Sequence, residues 1–138
     1  MVALTLAASI MVALDQLSKR LVSRWLAVGQ SVCVGRYFQI RHARSKRLAL
    51  PIQQHWLLLC TWTALATALV VVLHYGVNFR RPTIEFALGM ALGGAASNIV
   101  DFVRRGYVID MVDVGVWPVF NLADAAILMG VILALCRI

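Results

Sequence analysis

The sequence predicts an all-α membrane protein with four membrane-spanning helices and a small β platform at the membrane surface. Of its 138 residues, 62% are hydrophobic and only 14% are charged. A soluble domain of this size would carry about 25% charged residues, so the composition excludes a soluble protein. Four long apolar segments and two short β-like segments support this fold class. The length allows a single domain, residues 1–138.

Four apolar segments form the predicted helices, because about 20 apolar residues are needed to cross a bilayer as a helix. They cover residues 2–22, 56–75, 84–103 and 122–136. The first segment is interrupted near its end by Asp15 and Lys19. A cleaved signal peptide is the alternative for this segment, but it would need a basic region ahead of the apolar run. The sequence has none there, so we expect a retained helix.

The second and third segments carry further signals of membrane packing. Trp56 and Tyr75 bracket the second segment, as expected for aromatic side chains at the two membrane interfaces. The third segment contains Gly89 and Gly93 in a G-x-x-x-G pattern, which lets two helix backbones approach closely. We therefore expect the third helix to pack tightly against a neighbour.

The β platform is predicted from two short segments. Residues 23–54 form a polar loop after the first helix, and within it Val32–Arg41 is rich in the β-branched and aromatic residues typical of strands. Tyr107–Val112, between the third and fourth helices, has the same character. We expect these segments to supply the strands of a small interfacial sheet.

The net charge of +7 indicates an anionic partner. Lipid headgroups fit this role better than nucleic acid, because most of the apolar chain would lie in lipid. The three cysteines are scattered and odd in number, which favours simple packing over a disulfide framework. The three histidines have no ligand spacing, so we expect no metal.

In the predicted topology the first loop is very basic, and the second and third loops carry two arginines each, so that the first and third loops together hold most of the basic residues between the helices. Counting these charges alone would place both loops in the cytoplasm and both termini outside.

Four of the six carboxylates fall within residues 101–124. Acidic side chains near bilayer depth are costly and usually functional. Asp110 follows a β-like segment and Asp124 begins the fourth helix, with Trp117 and Pro118 turning the chain between them. This spacing lets both carboxylates face one cleft, where one holds a proton while the other acts as a base toward water. The alternative, of equal weight, is that both acids are solvated at the interface and that Asp124 favours a helix N-terminus.

Two N-x-x-D pairs accompany these acids. Asn98 with Asp101, and Asn121 with Asp124, have this i, i+3 spacing, which places each pair on one helix face. Two such pairs on adjacent helices predict an inward polar network. Helix capping by Asn121 is the alternative, and it is compatible with the network.

Two further acids are harder to place. Asp113 would point to the opposite strand face from Asp110, so we expect a structural role for it. Asp15 and Lys19 form either a local i, i+4 ion pair or a part of the site, and the sequence favours neither.

Four motifs, in chain order, resemble those of the lipoprotein signal peptidase (signal peptidase II) family of bacterial intramembrane aspartic peptidases. They are DQLSK at Asp15–Lys19, GGAASNIVD at Gly93–Asp101, RRGYVIDMVD at Arg104–Asp113 and WPVFNLADAAI at Trp117–Ile127. The last two are nearly identical to the family pattern, and the four together extend over most of the chain.

The resemblance implies that Asp110 and Asp124 are the catalytic aspartates. It also implies that they are supported by the polar residues Asp15, Asn98, Asp101 and Asn121. The implied reaction is cleavage of diacylglyceryl-modified prolipoproteins just before the lipidated cysteine, without metal or cofactor. We expect the protein to act as a monomer among membrane lipids.

The resemblance also implies a location and an orientation. The family is multi-pass in the bacterial plasma membrane, with cytoplasmic termini and with the platform and active site on the extracytoplasmic face. This is opposite to the charge count. We adopt the family orientation, because the charge rule describes short loops and this loop carries β structure.

Some residues depart from the family pattern. In the first loop, Ser45 replaces an asparagine and Arg47 a glycine, and both are candidate contacts for substrate or lipid. Ser97 replaces a glycine, and Phe102 replaces an arginine after Asp101. These departures leave open an alternative function, a catalytically weak paralogue that binds lipoproteins or confers inhibitor resistance.

Overall fold

A computed structural model describes residues 2–36, 38–46 and 82–136. This part of the chain is mostly helical, with a small antiparallel sheet. Its elements, in order, are α1 (Val2–Trp25), β1 (Ser31–Cys33), β2 (Gln39–Lys46), α2 (Pro82–Arg105), β3 (Tyr107–Asp113) and α3 (Leu122–Leu135). The helix predicted for residues 56–75 lies outside the described residues.

Helices α1 and α2 are each 24 residues long and apolar enough to cross a membrane. The third, α3, has 14 residues and is shorter than a typical crossing. The structure extends the first helix three residues past its predicted end at 22, to Trp25. It also extends the third predicted helix by two residues at each end, so that α2 ends at Arg105. Gly106 follows with φ +72°, the left-handed conformation that commonly terminates a helix.

Helix α2 packs between α1 and α3, and glycines allow the close approach on both sides. A Cβ atom on Gly93 would lie 2.6 Å from the carbonyl oxygen of Ala8 in α1. A Cβ atom on Gly94 would lie 2.5 Å from the carbonyl oxygen of Ala123 in α3. Both distances are too short for real contacts, so a side chain at either position would force the neighbouring helix to move away. The tight packing predicted for this helix is confirmed.

The sheet has the strand order β1-β2-β3, and both strand pairs are antiparallel. The single β-like stretch predicted at Val32–Arg41 is divided here. It is interrupted by a turn in which the backbone N–H of Val34 donates to the carbonyl of Phe38 at 3.0 Å, and the second strand continues to Lys46. The strand predicted at Tyr107–Val112 runs one residue further, to Asp113.

A β-bulge in β2 ties the sheet to the end of α1. The pairing register shifts between Ile40 and Ala43, so that two residues of β2 oppose one residue of β3. One of the two is His42, which is buried, with Nδ1 2.8 Å from the carbonyl oxygen of Leu26. The next residue, Ala43, pairs with Asp110. The bulge therefore sits beside one of the acids singled out from the sequence.

The start of α3 is brought back to β3 by a single bridging residue. Phe120 pairs with Val112, and its carbonyl accepts from the backbone N–H groups of Met111 and Val112 at 2.9 and 2.8 Å. Asn121 follows at once as the N-cap of α3. The first turn of α3 therefore lies next to the strand that carries Asp110.

Candidate active site

Buried polar side chains meet where α1, α2, β3 and the start of α3 come together. Six of them are fully buried: Asp15, Lys19, Ser97, Asn98, Asp101 and Asn121. Asp110 is 5% exposed and Gln16 is 9% exposed. Buried polar groups in a stable protein need partners, so each contact in this cluster constrains the others.

Asn121 is the centre of the cluster. Its side-chain Oδ1 accepts from the backbone N–H of Asp124 at 2.9 Å, which caps α3. Its Nδ2 donates to Asp110 Oδ1 at 3.0 Å and to Asn98 Oδ1 at 3.2 Å. One amide therefore connects β3, α2 and α3.

Asp124 is held through both of its carboxylate oxygens. Oδ1 accepts from Asn98 Nδ2 at 2.8 Å, and Oδ2 accepts from the backbone N–H of Asn121 at 3.2 Å. This second bond completes a capping box, in which the N-cap and the third helical residue bond each other. Asp124 is partly exposed, whereas Asp110 is buried. Both predicted catalytic acids thus belong to one hydrogen-bond network.

Asp15 connects the start of α3 to α1 through a hydrogen bond. Its Oδ1 accepts from the backbone N–H of Ala123 at 2.8 Å. Its Oδ2 accepts from Ser97 Oγ at 2.6 Å and pairs with Lys19 Nζ at 2.5 Å. Asp15 therefore acts as a second cap for α3, supplied by a different helix.

Asp101 balances the remaining charge of the cluster. Its Oδ2 lies 2.8 Å from Lys19 Nζ, and its Oδ1 accepts from Gln16 Nε2 at 2.9 Å and from Arg105. Lys19 and Arg105 thus neutralise Asp15 and Asp101, as a buried group of charges requires. The Arg105 side chain is 27% exposed, so one edge of the cluster reaches the surface.

Other residues singled out from the sequence lie away from this network. Asp113 pairs with Arg41 at 3.5 Å and accepts from the backbone N–H of Gly115 at 2.9 Å. The backbone of Ser45 pairs with Val108 in the sheet. Phe102 is 37% exposed. Arg47 lies outside the described residues.

Three members of the network were not assigned to the site from the sequence. They are Lys19, Gln16 and Ser97. The available signal was the polar group at positions 15, 16 and 19 of an apolar helix, since this spacing places the side chains on one side of a helix. Ser97 had no such signal, yet its hydroxyl donates to Asp15 and accepts from Gln16 Nε2 at 2.9 Å.

The network contains four carboxyl groups, those of Asp15, Asp101, Asp110 and Asp124, together with amide, hydroxyl and ammonium donors. Such a set suits acid–base chemistry on a polar bond. Among residues 2–36, 38–46 and 82–136, no three His, Cys, Asp or Glu side chains are grouped so that they could hold a metal ion.

Comparison with known proteins gives one consistent result. The sequence model of a family described as "Signal peptidase (SPase) II" matches residues 7–138. A protein of Moorella thermoacetica named "Lipoprotein signal peptidase" is 33% identical over 130 residues, which cover 93% of this chain and 87% of the relative. A protein of the same name from Dehalococcoides mccartyi is 37% identical over 126 residues, covering 86% of this chain and 77% of the relative.

Solved structures show the same fold. One bacterial membrane enzyme structure obtained by the in meso method matches with a TM-score of 0.75 and 23% identity, covering 99% of this chain and 87% of the other. A second matches with a TM-score of 0.73 and 22% identity, covering 99% and 92%.

Proposed function

The chain belongs to the signal peptidase II family, and from this premise we propose that it is an aspartic endopeptidase of the membrane. Its substrates are prolipoproteins that carry a diacylglyceryl group, cleaved just before the lipidated cysteine. Family membership supports signal-peptide cleavage of prolipoproteins. The buried polar network supports Asp110 and Asp124 as the reacting groups.

The observation that carries the proposal is the link between the two acids. Asn121 donates from Nδ2 to Asp110 at 3.0 Å and from its backbone N–H to Asp124 at 3.2 Å. Two carboxyl groups from a strand and a helix are thereby held by one residue. Acid–base catalysis needs rigid placement of this kind, because both proton transfers take place at the same peptide bond.

In the proposed reaction, one carboxylate takes a proton from water while the other, protonated carboxyl gives its proton to the scissile carbonyl oxygen. The water oxygen bonds to the carbonyl carbon, which forms a tetrahedral diol. The diol then returns a hydroxyl proton to the second carboxylate, the C–N bond breaks, and the first carboxyl gives its proton to the departing amine. Both acids end in their starting states.

We propose that the membrane topology has four spans, residues 56–75 and 122–136 being the second and fourth. Helices α1 and α2, which pass the length and hydropathy test for a crossing, support the first and third. The sheet would lie at the extracytoplasmic surface of the plasma membrane. Exposed Trp25 at the end of α1 and exposed Trp117 before α3 support an interfacial position, because tryptophan favours the membrane–water boundary.

The test is cleavage of a diacylglyceryl-modified precursor by purified protein. We expect Asp110→Asn and Asp124→Asn each to abolish cleavage, because an amide can neither accept nor deliver the required proton. Asp113→Asn is the matched control: it lies three residues from Asp110 but contacts Arg41 and Gly115 instead. We expect it to cleave like the unaltered protein. Full activity in Asp110→Asn or in Asp124→Asn would show that these two aspartates are not the catalytic pair.

The second candidate function is a catalytically weak paralogue that binds lipoproteins or confers inhibitor resistance. The departures at Ser45, Arg47 and Phe102 favour it. The departure at Ser97 does not, since this hydroxyl is bonded to both Asp15 and Gln16 within the network. The same assay separates the two functions: the paralogue would bind the lipidated precursor without turning it over.

A further inference from the structure

We propose that Lys19 is a positioning residue for the proposed reaction and that it acts on Asp124 through Asn98. The inference rests on the proposed function, because it assigns Lys19 a part in the same site. Sequence alone left open whether Asp15 and Lys19 form only a local ion pair or belong to the site. The contacts of its ammonium group extend well beyond that pair.

The ammonium group of Lys19 faces three oxygen atoms: it is ion-paired with two carboxylates and donates a hydrogen bond to one amide oxygen. Nζ lies 2.5 Å from Asp15 Oδ2, 2.8 Å from Asp101 Oδ2 and 3.0 Å from Asn98 Oδ1. The side chain is fully buried, so water does not compete for these bonds. A lysine ammonium can only donate. Every atom that it faces must therefore be an acceptor.

This requirement fixes which way the Asn98 amide points. Its Oδ1 accepts hydrogen bonds from two donors, Lys19 Nζ at 3.0 Å and Asn121 Nδ2 at 3.2 Å. Its Nδ2 is therefore turned toward Asp124 Oδ1, at 2.8 Å. A reversed amide would place NH2 against the ammonium and an oxygen against the carboxylate. Lys19 thus orients the Asn98 amide so that Asp124 Oδ1 accepts a hydrogen bond from Asn98 Nδ2.

Charge neutralisation alone does not explain this arrangement. Lys19 already balances Asp15 and Asp101 together with Arg105, and a buried ion pair is in itself weak evidence for stability. The hydrogen bond of Lys19 goes to a neutral amide, that of Asn98, which in turn donates to Asp124. A bond from a charged donor is stronger than one between neutral groups, so the ammonium holds Asn98 more firmly than a neutral side chain would.

The first test compares Lys19→Met with Arg20→Met in the cleavage assay on a diacylglyceryl-modified precursor. Methionine keeps much of the side-chain length and removes the ammonium. Arg20 is the adjacent residue and is exposed, so its variant controls for loss of one cation from this end of α1. We expect kcat of Lys19→Met to fall about 100-fold with KM changed less than about twofold, because the acid is misplaced while substrate binding is kept. Arg20→Met should keep kcat within about twofold of the unaltered protein.

The second test asks whether Lys19 acts through Asn98. Single-turnover rates, with enzyme in excess, are measured for Lys19→Met, Asn98→Ala and the double variant. We expect Lys19→Met to change the rate less than about threefold in the Asn98→Ala background, since residues that act as a unit are not additive. An undiminished effect in that background, or an unchanged kcat in the single variant, would overturn the proposal.

A third comparison separates positioning from folding. Lys19→Met with Asp101→Asn removes one positive and one negative charge, and it is compared with Asp101→Asn alone. We expect the double variant to fold, as judged by thermal unfolding in detergent. We expect its kcat to be about 100-fold lower than that of Asp101→Asn alone, as in the first test. If neither Lys19 variant folds, Lys19 is a requirement of the fold and the proposal is wrong. A failure of the unaltered protein to cleave would instead contradict the proposed function.

Discussion

Asn121 combines two tasks that the sequence raised as alternatives. Its Oδ1 caps α3 by accepting from the backbone N–H of Asp124, so the predicted helix cap is confirmed. Its Nδ2 bonds Asp110 and Asn98 and so forms part of a polar network. Only an amide offers an acceptor and two donors in one short side chain.

A serine at position 121 should separate these tasks. Serine is as good an N-cap as asparagine, so we expect Asn121→Ser to keep α3 capped and to lower the free energy of unfolding by about 1–3 kcal/mol, the cost of leaving Asp110 and Asn98 without this partner. It cannot reach both Asp110 and Asn98, and we expect kcat to fall about 100-fold or more because the two acids lose their common support. Thermal unfolding in detergent and the cleavage assay give the two values. Unaltered kcat in this variant would show that capping is the only role of Asn121.

The polar residues of the site were largely identified from the sequence, but their partners were not. Asparagine and aspartate spacing along single helices indicated Asn98, Asp101, Asn121 and Asp124. Their catalytic and supporting roles stay predictions. The bonds from Lys19 to Asn98 and from Asp15 to Ala123 join residues 79 and 108 positions apart, and no local pattern encodes such pairs. Ser97 was noted only as a departure, because a hydroxyl at one site gives no hint of which carboxylate it will meet.

At the scale of elements, α2 determines how close the other two described helices lie. Gly93 faces α1 at Ala8, and Gly94, the next residue, faces α3 at Ala123. Ala123 is also the residue whose backbone N–H bonds Asp15. The two adjacent glycines therefore make contacts of different importance to the site.

Alanine at each glycine should show this difference. We expect Gly93→Ala and Gly94→Ala each to lower the free energy of unfolding by about 1–3 kcal/mol, because the added methyl meets backbone atoms that cannot move freely. Only Gly94→Ala should also lower kcat strongly, since it displaces the start of α3. Gly35→Ala is the matched control, as a Cβ there would meet nothing within 4 Å. Equal kcat in the two α2 variants would contradict a special role for the α2–α3 contact.

The elements themselves were predictable to different degrees. Long apolar runs located α1, α2 and α3 to within a few residues, because membrane helices have a strong compositional signal. The sheet was harder. A turn divides the stretch predicted as one strand, and the bulge in β2 is set by contacts such as that of His42 with the carbonyl of Leu26. Strand limits depend on such partners rather than on composition.

At the scale of the whole molecule, the sheet and the C-terminus of α3 lie at opposite ends of the described helices. The sheet follows the end of α1 and adjoins the start of α3, and 14 helical residues separate that start from Cys136. A helix of this length spans about 20 Å. Exposed cysteines mark both ends, Cys33 in β1 and Cys136 after α3.

These cysteines can determine the orientation in the membrane. In variants that keep only Cys33 or only Cys136, the other cysteines being replaced by serine, we expect a membrane-impermeant thiol reagent to label Cys33 on intact cells. Cys136 should be labelled only after the cells are permeabilised, because the proposed topology places it in the cytoplasm. The reverse pattern would contradict the family orientation and agree with the count of basic residues per loop.

The family and the membrane class were predictable for the molecule as a whole, and the family is confirmed by its matches. Four ordered motifs carried that inference. The number of spans was not settled in the same way, since residues 56–75 lie outside the described part and α3 is short for a crossing. For the orientation, the charge count and the family resemblance gave opposite answers. The charge rule describes short loops, whereas many of the basic residues here lie in a loop that contributes strands to the sheet.

The bond between Asp15 and the backbone N–H of Ala123 has a consequence for biogenesis. It joins residues 108 positions apart, so the site cannot close while the chain is still being synthesised up to α3. Asp15 and Lys19 are synthesised first, and the partners that bury them come from α2 and then from α3. The polar network is therefore incomplete in a chain that lacks α3, and the proposed site can form only after α3 has been synthesised and has packed against α2.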